Sequence, residues 1–370
     1  MNAFSRHSER GIAIVIVMVS IFVLSAMAAI FASFMKVETR LAANSNNEAE
    51  LQWLGRSGIE VARYTLGQQM KLPNEPFDCL NQTWARLDSG GEGCETNELM
   101  LNIPFEGKLG NGKYKVVKIT DTERKFNVNL ALNNQAVLEQ ALILIGADAA
   151  EVPTIIASMQ DWIDRDNEVH INGAETEYYQ SLDPPYVAKN GPIDDLTELL
   201  FIKGITPDLY WGPNSTNHPG FVFHSHKPPS TGLFNAPVLA PVGLVDIFTP
   251  ISSGRINLNT ASSTALQTIP GIDANMAAAI IRMRAGPDGV DGTCDDVPLR
   301  QPGGQDLINI GLSPQAAQSL SQYCDVRSST FEVEVDVEIG MSKRRYYALL
   351  KRLGPQNVQI LSMRWEDLKL

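Results

Sequence analysis

Basic side chains are in short supply in this chain. Lys and Arg total 30 against 42 Asp and Glu, with five histidines, so the formal net charge is -12. That balance speaks against nucleic acid, whose phosphates demand clustered cations. Cysteine is scarce too, at four residues, with neither a CxxC pair nor a Cys/His cluster, which argues against a zinc site. No G-x-S-x-G elbow and no glycine-rich phosphate loop occurs, and no catalytic set emerges, so the chain does not read as an enzyme. His7, His170, His218, His224 and His226 are scattered; His224-x-His226 reads as exposed loop polarity or an adventitious metal pair.

One stretch lacks charge, proline and glycine altogether: Ile12 to Met35, IAIVIVMVSIFVLSAMAAIFASFM. About 20 apolar helical residues cross a bilayer core, so this run can span one. Arg6 and Arg10 precede it, which keeps the N-terminus cytoplasmic and sends the remainder out. A secretory signal peptide would have a shorter apolar region and a small-residue cleavage site. A plain signal-anchor accounts for the span alone. A pilin-like helix accounts for more, because an amphipathic pattern continues beyond the span through Lys36, Glu38, Arg40, Glu48, Glu50, Arg56, Glu60 and Arg63. Gly11 then marks the processing point, and the mature chain begins at Ile12.

The 370 residues leave room for an anchor plus two or three domains. The helix continues to about Met70, where Pro73 and Pro76 end it. KLGNGKYKVVKITD reads as a hairpin about Asn111-Gly112, and KFNVNLAL as a further strand. The pattern then turns helical, with an internal echo: KFNVNLALNNQAVLEQALILIG against RINLNTASSTALQTIPGI, and DDLTELLFIKGITPDLY against GGQDLINIGLSPQAAQSL. FEVEVDVEI restores a period of two, with Phe331, Val333, Val335, Val337 and Ile339 on one face. Two strands follow turns at Gly340 and Gly354-Pro355, and Arg344, Arg345, Lys351 and Arg352 are expected to face the acidic side of FEVEVDVEI.

The order of SERG-IAIVIVMV, DWIDRD, GAETEYY, PPYVAKNGPIDDLTELL and GRINLNTA resembles the minor pseudopilin K family of type II secretion systems, nearly end to end. Pilins and most pseudopilins carry glutamate at the fifth mature residue; here it is Ile16, a departure the K family shares. The resemblance implies an α+β, type IV pilin-like fold, a long N-terminal transmembrane helix on an antiparallel sheet, with a large all-α insertion of two helix-hairpin-helix or SAM-like lobes. The expected organisation is a cleaved leader at 1–11, a transmembrane part at 12–35, and the first part of the pilin-like domain at 36–131. The inserted domain follows at 132–325, with lobes at about 132–212 and 255–325, and closing strands at 326–370. The implied role is non-enzymatic: a tip subunit of the periplasmic pseudopilus, anchored by a single pass in the inner membrane. Its implied partners are minor pseudopilins I and J and prepilin peptidase. The rival readings are a membrane-anchored helix-hairpin-helix nucleic-acid-binding protein and a hydrolase on a signal-anchor, the latter with no residues to support it.

Two acidic loops suit calcium, which the K family is reputed to bind. Asp288, Asp291, Asp295 and Asp296 fall within nine residues of a glycine-bearing loop. Asp164, Asp166, Glu168 and Glu175 occupy positions 1, 3, 5 and 12 of an EF-hand count, with Val169 where glycine usually turns the loop. In the helix-hairpin-helix about Pro270-Gly271-Ile272, Arg282 and Arg284 are the basic residues close by, so a structural use is favoured over phosphate binding. In an oxidising periplasm, cysteines near one another in sequence pair readily. Cys79–Cys94 and Cys294–Cys324 are favoured over the other connectivities, with four free thiols as the alternative.

Overall fold

The computed structural model of the chain describes residues 9–87, 100, 103–212, 242–340 and 342–368. Its N-terminal part is one helix, α1 (Glu9–Gln69), whose first half, Ala13–Thr39, has a mean hydropathy of 2.9 and is not buried among the described residues. That half is long and apolar enough to cross a membrane. Gly11 and Ile12 fall on its backbone, and Ile16 is exposed.

The second half of α1 packs on a five-stranded antiparallel sheet. Strands β1 (Glu106–Leu109) and β2 (Gly112–Asp121) form a hairpin. Its two-residue turn is Gly110-Asn111, one position earlier than expected, because Gly110 takes the left-handed φ of 57°. After β2 come β3 (Phe126–Asn127) and helices α2 (Val128–Ala131), α3 (Gln135–Leu144), α4 (Val152–Ile163), α5 (Thr176–Gln180), α6 (Pro207–Trp211) and α7 (Leu244–Ile247). Next are β4 (Phe248–Thr249), β5 (Ile256–Asn257), α8 (Ser263–Gln267), α9 (Ala274–Arg284), α10 (Gln305–Asn309), α11 (Pro314–Leu320) and β6 (Cys324–Asp325). The chain closes with β7 (Thr330–Ile339), β8 (Ser342–Gly354) and β9 (Asn357–Asp367), and the sheet order is β1-β2-β7-β8-β9.

β7 carries the central alternation. Phe331, Val333, Val335 and Val337 are buried against Leu54, Ile59, Ala62 and Leu66 of α1, and each such apolar side chain contributes roughly 1.5–3 kcal/mol on burial. The helix comes close to the sheet at Gly55 and Gly58, which lack side chains. A Cβ on Gly58 would lie 2.4 Å from Val335 Cγ1, and one on Gly55 would lie 2.5 Å from the Tyr346 ring. Glycine inside a helix costs about 1 kcal/mol, which this close approach offsets.

The helical region enters and leaves the sheet between neighbouring strands. β2 ends at Asp121, whose sheet partner is Phe331, and the Thr122 hydroxyl donates to Thr330 O at 3.0 Å. The expected boundary near residue 131 therefore moves to Asp121. KFNVNLAL is not a strand of the five-stranded sheet: Phe126-Asn127 pairs in parallel with β4 in a separate two-stranded sheet, and Val128–Ala131 is helical.

The internal echo has a structural counterpart in two Asn-x-Asn turns. Asn127 Oδ1 accepts from Asn129 N at 3.0 Å, and the Asn129 side chain brackets Ile193, accepting from its N–H at 2.7 Å and donating to its carbonyl at 2.9 Å. Asn257 and Asn259 do the same for Leu299, at 2.9, 2.8 and 3.0 Å. Side chains from all four echoing stretches, including Leu138, Leu199, Leu266 and Leu307, share one apolar cluster.

Two expectations change. Arg345 does face the acidic side of β7, donating to Asp336 at 2.7 Å, but Arg344 and Arg352 have the opposite parity and point to the helix side. Arg344 there meets Glu48 at 2.5 Å, and Arg352 is buried. Neither favoured disulfide forms, because Cys79 and Cys324 are both free thiols inside the apolar cluster. Cys79 is held by its contact with Asn81 at 2.8 Å and Cys324 by the ladder to Ile256, whereas Cys294 is disulfide-bonded on an exposed loop. Cys94 lies outside the described residues, as do His7, His218, His224 and His226.

Candidate functional site

The acidic loop after α4 gathers ligand atoms. Asp161 sits on the last helical turn and Asp164 is the residue that ends it. The loop reverses at Asn172, φ 70°, and returns at Glu175, which opens α5. The turn thus falls at Asn172-Gly173 rather than at Val169. Two overlapping sets result, in each of which one ligand atom per residue lies within 4.8 Å of the others: Asp161, Asp164 and His170, and Asp164, Asp166 and Glu175. Glu168 is exposed and joins neither. Asp161 and His170 were not among the residues the EF-hand count selects. Their signal is the i, i+3 spacing of Asp161 and Asp164, which puts both carboxyls on one side of the helix end.

The site is built around buried carboxylates short of donors. Glu175 is 2% exposed, and neither of its side-chain oxygens has a hydrogen-bond partner among the described residues. Asp161 Oδ2 and Asp164 Oδ1 are likewise unpartnered. Asp161 Oδ2 packs directly on the Gly173 backbone, where a Cβ would lie 2.0 Å from it, so only glycine fits at that position. Burial, then the neighbouring Asp166 and Asp161 charges, pushes the Asp164 carboxyl up. Burial, then Asp164 and Asp161, does the same to Glu175. The hydrogen bond to Asp161 raises His170. Buried like charges of this kind are costly unless something positive collects them.

Surrounding groups hold the loop in place. Lys203 Nζ donates to Gly173 O at 3.0 Å and lies 5.0 Å from the Tyr178 ring centroid, and Asn190 donates to Asp166 O at 2.6 Å. Beneath, Trp162 meets Tyr179 edge-on at 5.3 Å and Tyr179 stacks on Tyr186 at 5.2 Å. The GAETEYY and PPYVAKNG stretches therefore serve as the floor of the acidic loop.

The other acidic loop does not gather its carboxyls among the described residues. Asp288 Oδ1 accepts from Val290 N at 2.7 Å, and Asp295 accepts from Asp288 N at 3.0 Å and the Thr293 hydroxyl at 2.6 Å. Asp296 accepts from Gly292 N at 2.8 Å and Thr293 N at 3.2 Å, while Asp291 is paired with Arg284. Arg284 itself is buried and donates to Leu258 O at 2.6 Å, so it is not presented to a phosphate at the nearby α8–α9 hairpin.

A third polar cluster lies where the helical region joins the sheet. Asp78 and Arg352, each with 1% side-chain exposure, form an ion pair. Asp121 Oδ2 accepts from the Thr260 and Ser328 hydroxyls, both at 2.6 Å, and from Asn257 at 3.2 Å. Glu123 accepts from Ser253 N at 3.1 Å and Ser329 N at 2.8 Å, and its carboxyl is pushed up to about 7 by burial, with Asp121 adding to it.

Residues 124–211 match the family model described as type II secretion system protein K, and residues 252–288 match a helix-hairpin-helix motif. Type II secretion system protein K of Klebsiella pneumoniae is 24% identical over 216 residues, covering 55% of this chain and 60% of that protein. The Pectobacterium carotovorum subsp. carotovorum protein of the same name is 26% identical over 224 residues, covering 55% and 61%. That of Aeromonas hydrophila is 24% identical over 300 residues, covering 73% and 85%. The matches to the first two span about 60% of those relatives' length. Among solved structures, a chain of the GspK-GspI-GspJ complex from the enterotoxigenic Escherichia coli type 2 secretion system superposes with a TM-score of 0.60 at 17% identity, covering 89% of this chain and 99% of that one.

Proposed function

We propose, from the premise that the chain belongs to the type II secretion system protein K family, that it is a non-enzymatic minor pseudopilin at the tip of a periplasmic pseudopilus. The observation that carries this reading is the continuity of α1, an apolar stretch at Ala13–Thr39 running without a break into a half that packs on an antiparallel sheet. In a type IV pilin-like fold, that helix anchors the subunit in the inner membrane and then holds it in the fibre. Prepilin peptidase would cut after Gly11, leaving Ile12 as the first, N-methylated residue.

Two features favour the tip. Ile16 brings no carboxylate with which to pair a neighbour's N-terminal amine in the hydrocarbon layer, where such a pairing is strongly directive. The helical region between β2 and β7 adds bulk that side-by-side packing in a fibre shaft does not accommodate. Minor pseudopilins I and J would pack along α1 around the exposed Trp53 and Tyr64. The test is gold labelling of this protein on overproduced fibres. Label at one end of each fibre is expected; label at several sites along a shaft would overturn the tip assignment.

The acidic loop of Asp164, Asp166 and Glu175 fits calcium, on the ground of the buried Glu175 oxygens that lack donors. Bound there, calcium would neutralise the buried charge and tie the end of α4 to the start of α5. Asp288, Asp291, Asp295 and Asp296 would first have to release Arg284 and their backbone donors, which favours the Asp164 site over theirs.

A further inference from the structure

We infer that the first helical lobe presents a docking face for a basic protein segment, one with an aliphatic or aromatic anchor flanked by Lys and Arg. The two lobes share their Asn-x-Asn turns and one apolar cluster, yet they differ in charge. Residues 132–212 hold 14 Asp and Glu against three Lys and Arg, a net of -11 beside the -12 of the whole chain. Residues 255–325 hold seven against four. The fold common to both lobes therefore does not require the excess.

The first lobe also differs in what it leaves uncovered. Ile171 is 89% exposed, and Val187 and Phe201 are each more than half exposed. A run of contacts joins them into one face. Asn172, next to Ile171, accepts through its carbonyl from Lys203 Nζ at 3.3 Å, and that ammonium lies over the Tyr178 ring. Tyr178 meets Tyr179 edge-on at 5.2 Å, and Tyr179 stacks on Tyr186. The Tyr186 ring lies 5.7 Å from that of Phe201, and its hydroxyl donates to Phe201 O at 2.7 Å, with Val187 next in the chain. Single exposed apolar side chains are ordinary, but a contiguous patch with a polar rim marks a protein contact.

Charge decides the occupant. Glu168 shares the loop of Ile171, Glu177 precedes Tyr178, and Asp183 lies between Tyr179 and Tyr186; all three are exposed. None of them belongs to either set of clustered ligand atoms, so they stay available to a partner. A second copy of this face would meet like charge, and a bilayer surface bearing anionic lipids would repel it. A segment with cations on both sides of an apolar anchor meets no such cost: the anchor covers Ile171 and Phe201 while the cations reach the rim. The inference does not rest on the tip assignment.

The experiment puts the photo-cross-linker p-benzoylphenylalanine in place of Ile171 or of Phe201 in the full chain, in membranes of the native host, and sequences the cross-linked peptides. Both positions are expected to capture the same protein, at a peptide of net positive charge that carries an apolar residue. Glu168→Lys, Glu177→Lys and Asp183→Lys together should cut the yield about fivefold or more, by removing charge complementarity. Asp306→Lys, an exposed position on α10 of the second lobe, should leave it unchanged. Should the triple variant fail to accumulate, the unsubstituted rim gives the same reading through salt, the yield falling as sodium chloride screens the contact. Cross-links to lipid, to a second copy or to the chain's own residues, capture of an acidic peptide, or no cross-link would overturn the inference. So would a yield indifferent to both charge reversal and salt.

Discussion

Replacing Arg352 by methionine tests how the helical region is joined to the sheet. The guanidinium is buried and donates to Asp78, to Ser328 O at 2.6 Å and to Leu66 O at 3.3 Å, lying 4.8 Å from the centroid of the Phe331 ring. One side chain thus ties together α1, the segment after it, the exit from the helical region and β7. Methionine keeps most of the apolar stem but leaves Asp78 charged and buried. Breaking a buried pair from one side costs about 3–5 kcal/mol, most of it from the charge left behind. Removing that charge as well, in Asp78→Asn with Arg352→Met, should recover a large part of the loss, with a coupling on the order of 2 kcal/mol. Native-state hydrogen exchange of the β7 and β8 amides reads this directly, because protection reports the free energy of opening. At about 1.4 kcal/mol per factor of ten, the single variant should exchange roughly 10²- to 10⁴-fold faster. A change of less than tenfold would refute the reasoning, as would a double variant whose cost equals the sum of the single ones.

Three other outcomes follow from the same contacts. Glu123 has a folded carboxyl raised by burial from 4.5 to about 7, so its favourable contribution is full below pH 4.5 and is lost as pH rises to about 7; melting temperature should fall across that window, at most about 1.4 kcal/mol per unit, and Glu123→Gln should flatten the profile. Gly58→Val forces α1 off Val335, an overpacking cost of about 1–3 kcal/mol or more, visible as faster proteolysis of the helix beyond the membrane; unchanged proteolysis would contradict the close approach. Calcium at a hundredfold excess over Kd should stabilise the full chain by about 2.7 kcal/mol, and Glu175→Gln should abolish that gain in a thermal melt; a melt indifferent to calcium and chelator would remove the site.

Much of the sheet and of the long apolar helix was legible in the sequence because period and composition act locally. β7 alternates strictly, and the turns at Gly340 and Gly354-Pro355 fall where the strands end. KFNVNLAL misled because its alternating polar residues, Asn127 and Asn129, are not a solvent face but brackets around a turn and Ile193. The arginines of β8 misled through parity: an odd number of residue steps separates Arg345 on the acidic face from Arg344 and Arg352 on the helix face. Cysteine pairing failed because nearness in sequence says nothing of where β6 places Cys324. Of the acidic cluster after α4, the EF-hand spacing picks out Asp164, Asp166 and Glu175, but Asp161 and His170 come together only through the loop's turn at Asn172.

The central claim is that this chain assembles with two other minor pseudopilins through α1. Its most direct test is purification of the full chain from membranes in which the cognate I and J pseudopilins are also produced. The account predicts one complex containing all three, lost when Trp53 and Tyr64 on the exposed side of α1 are both changed to aspartate. Recovery of an I–J complex from which this chain is absent, with the chain itself folded and in the membrane, would contradict it.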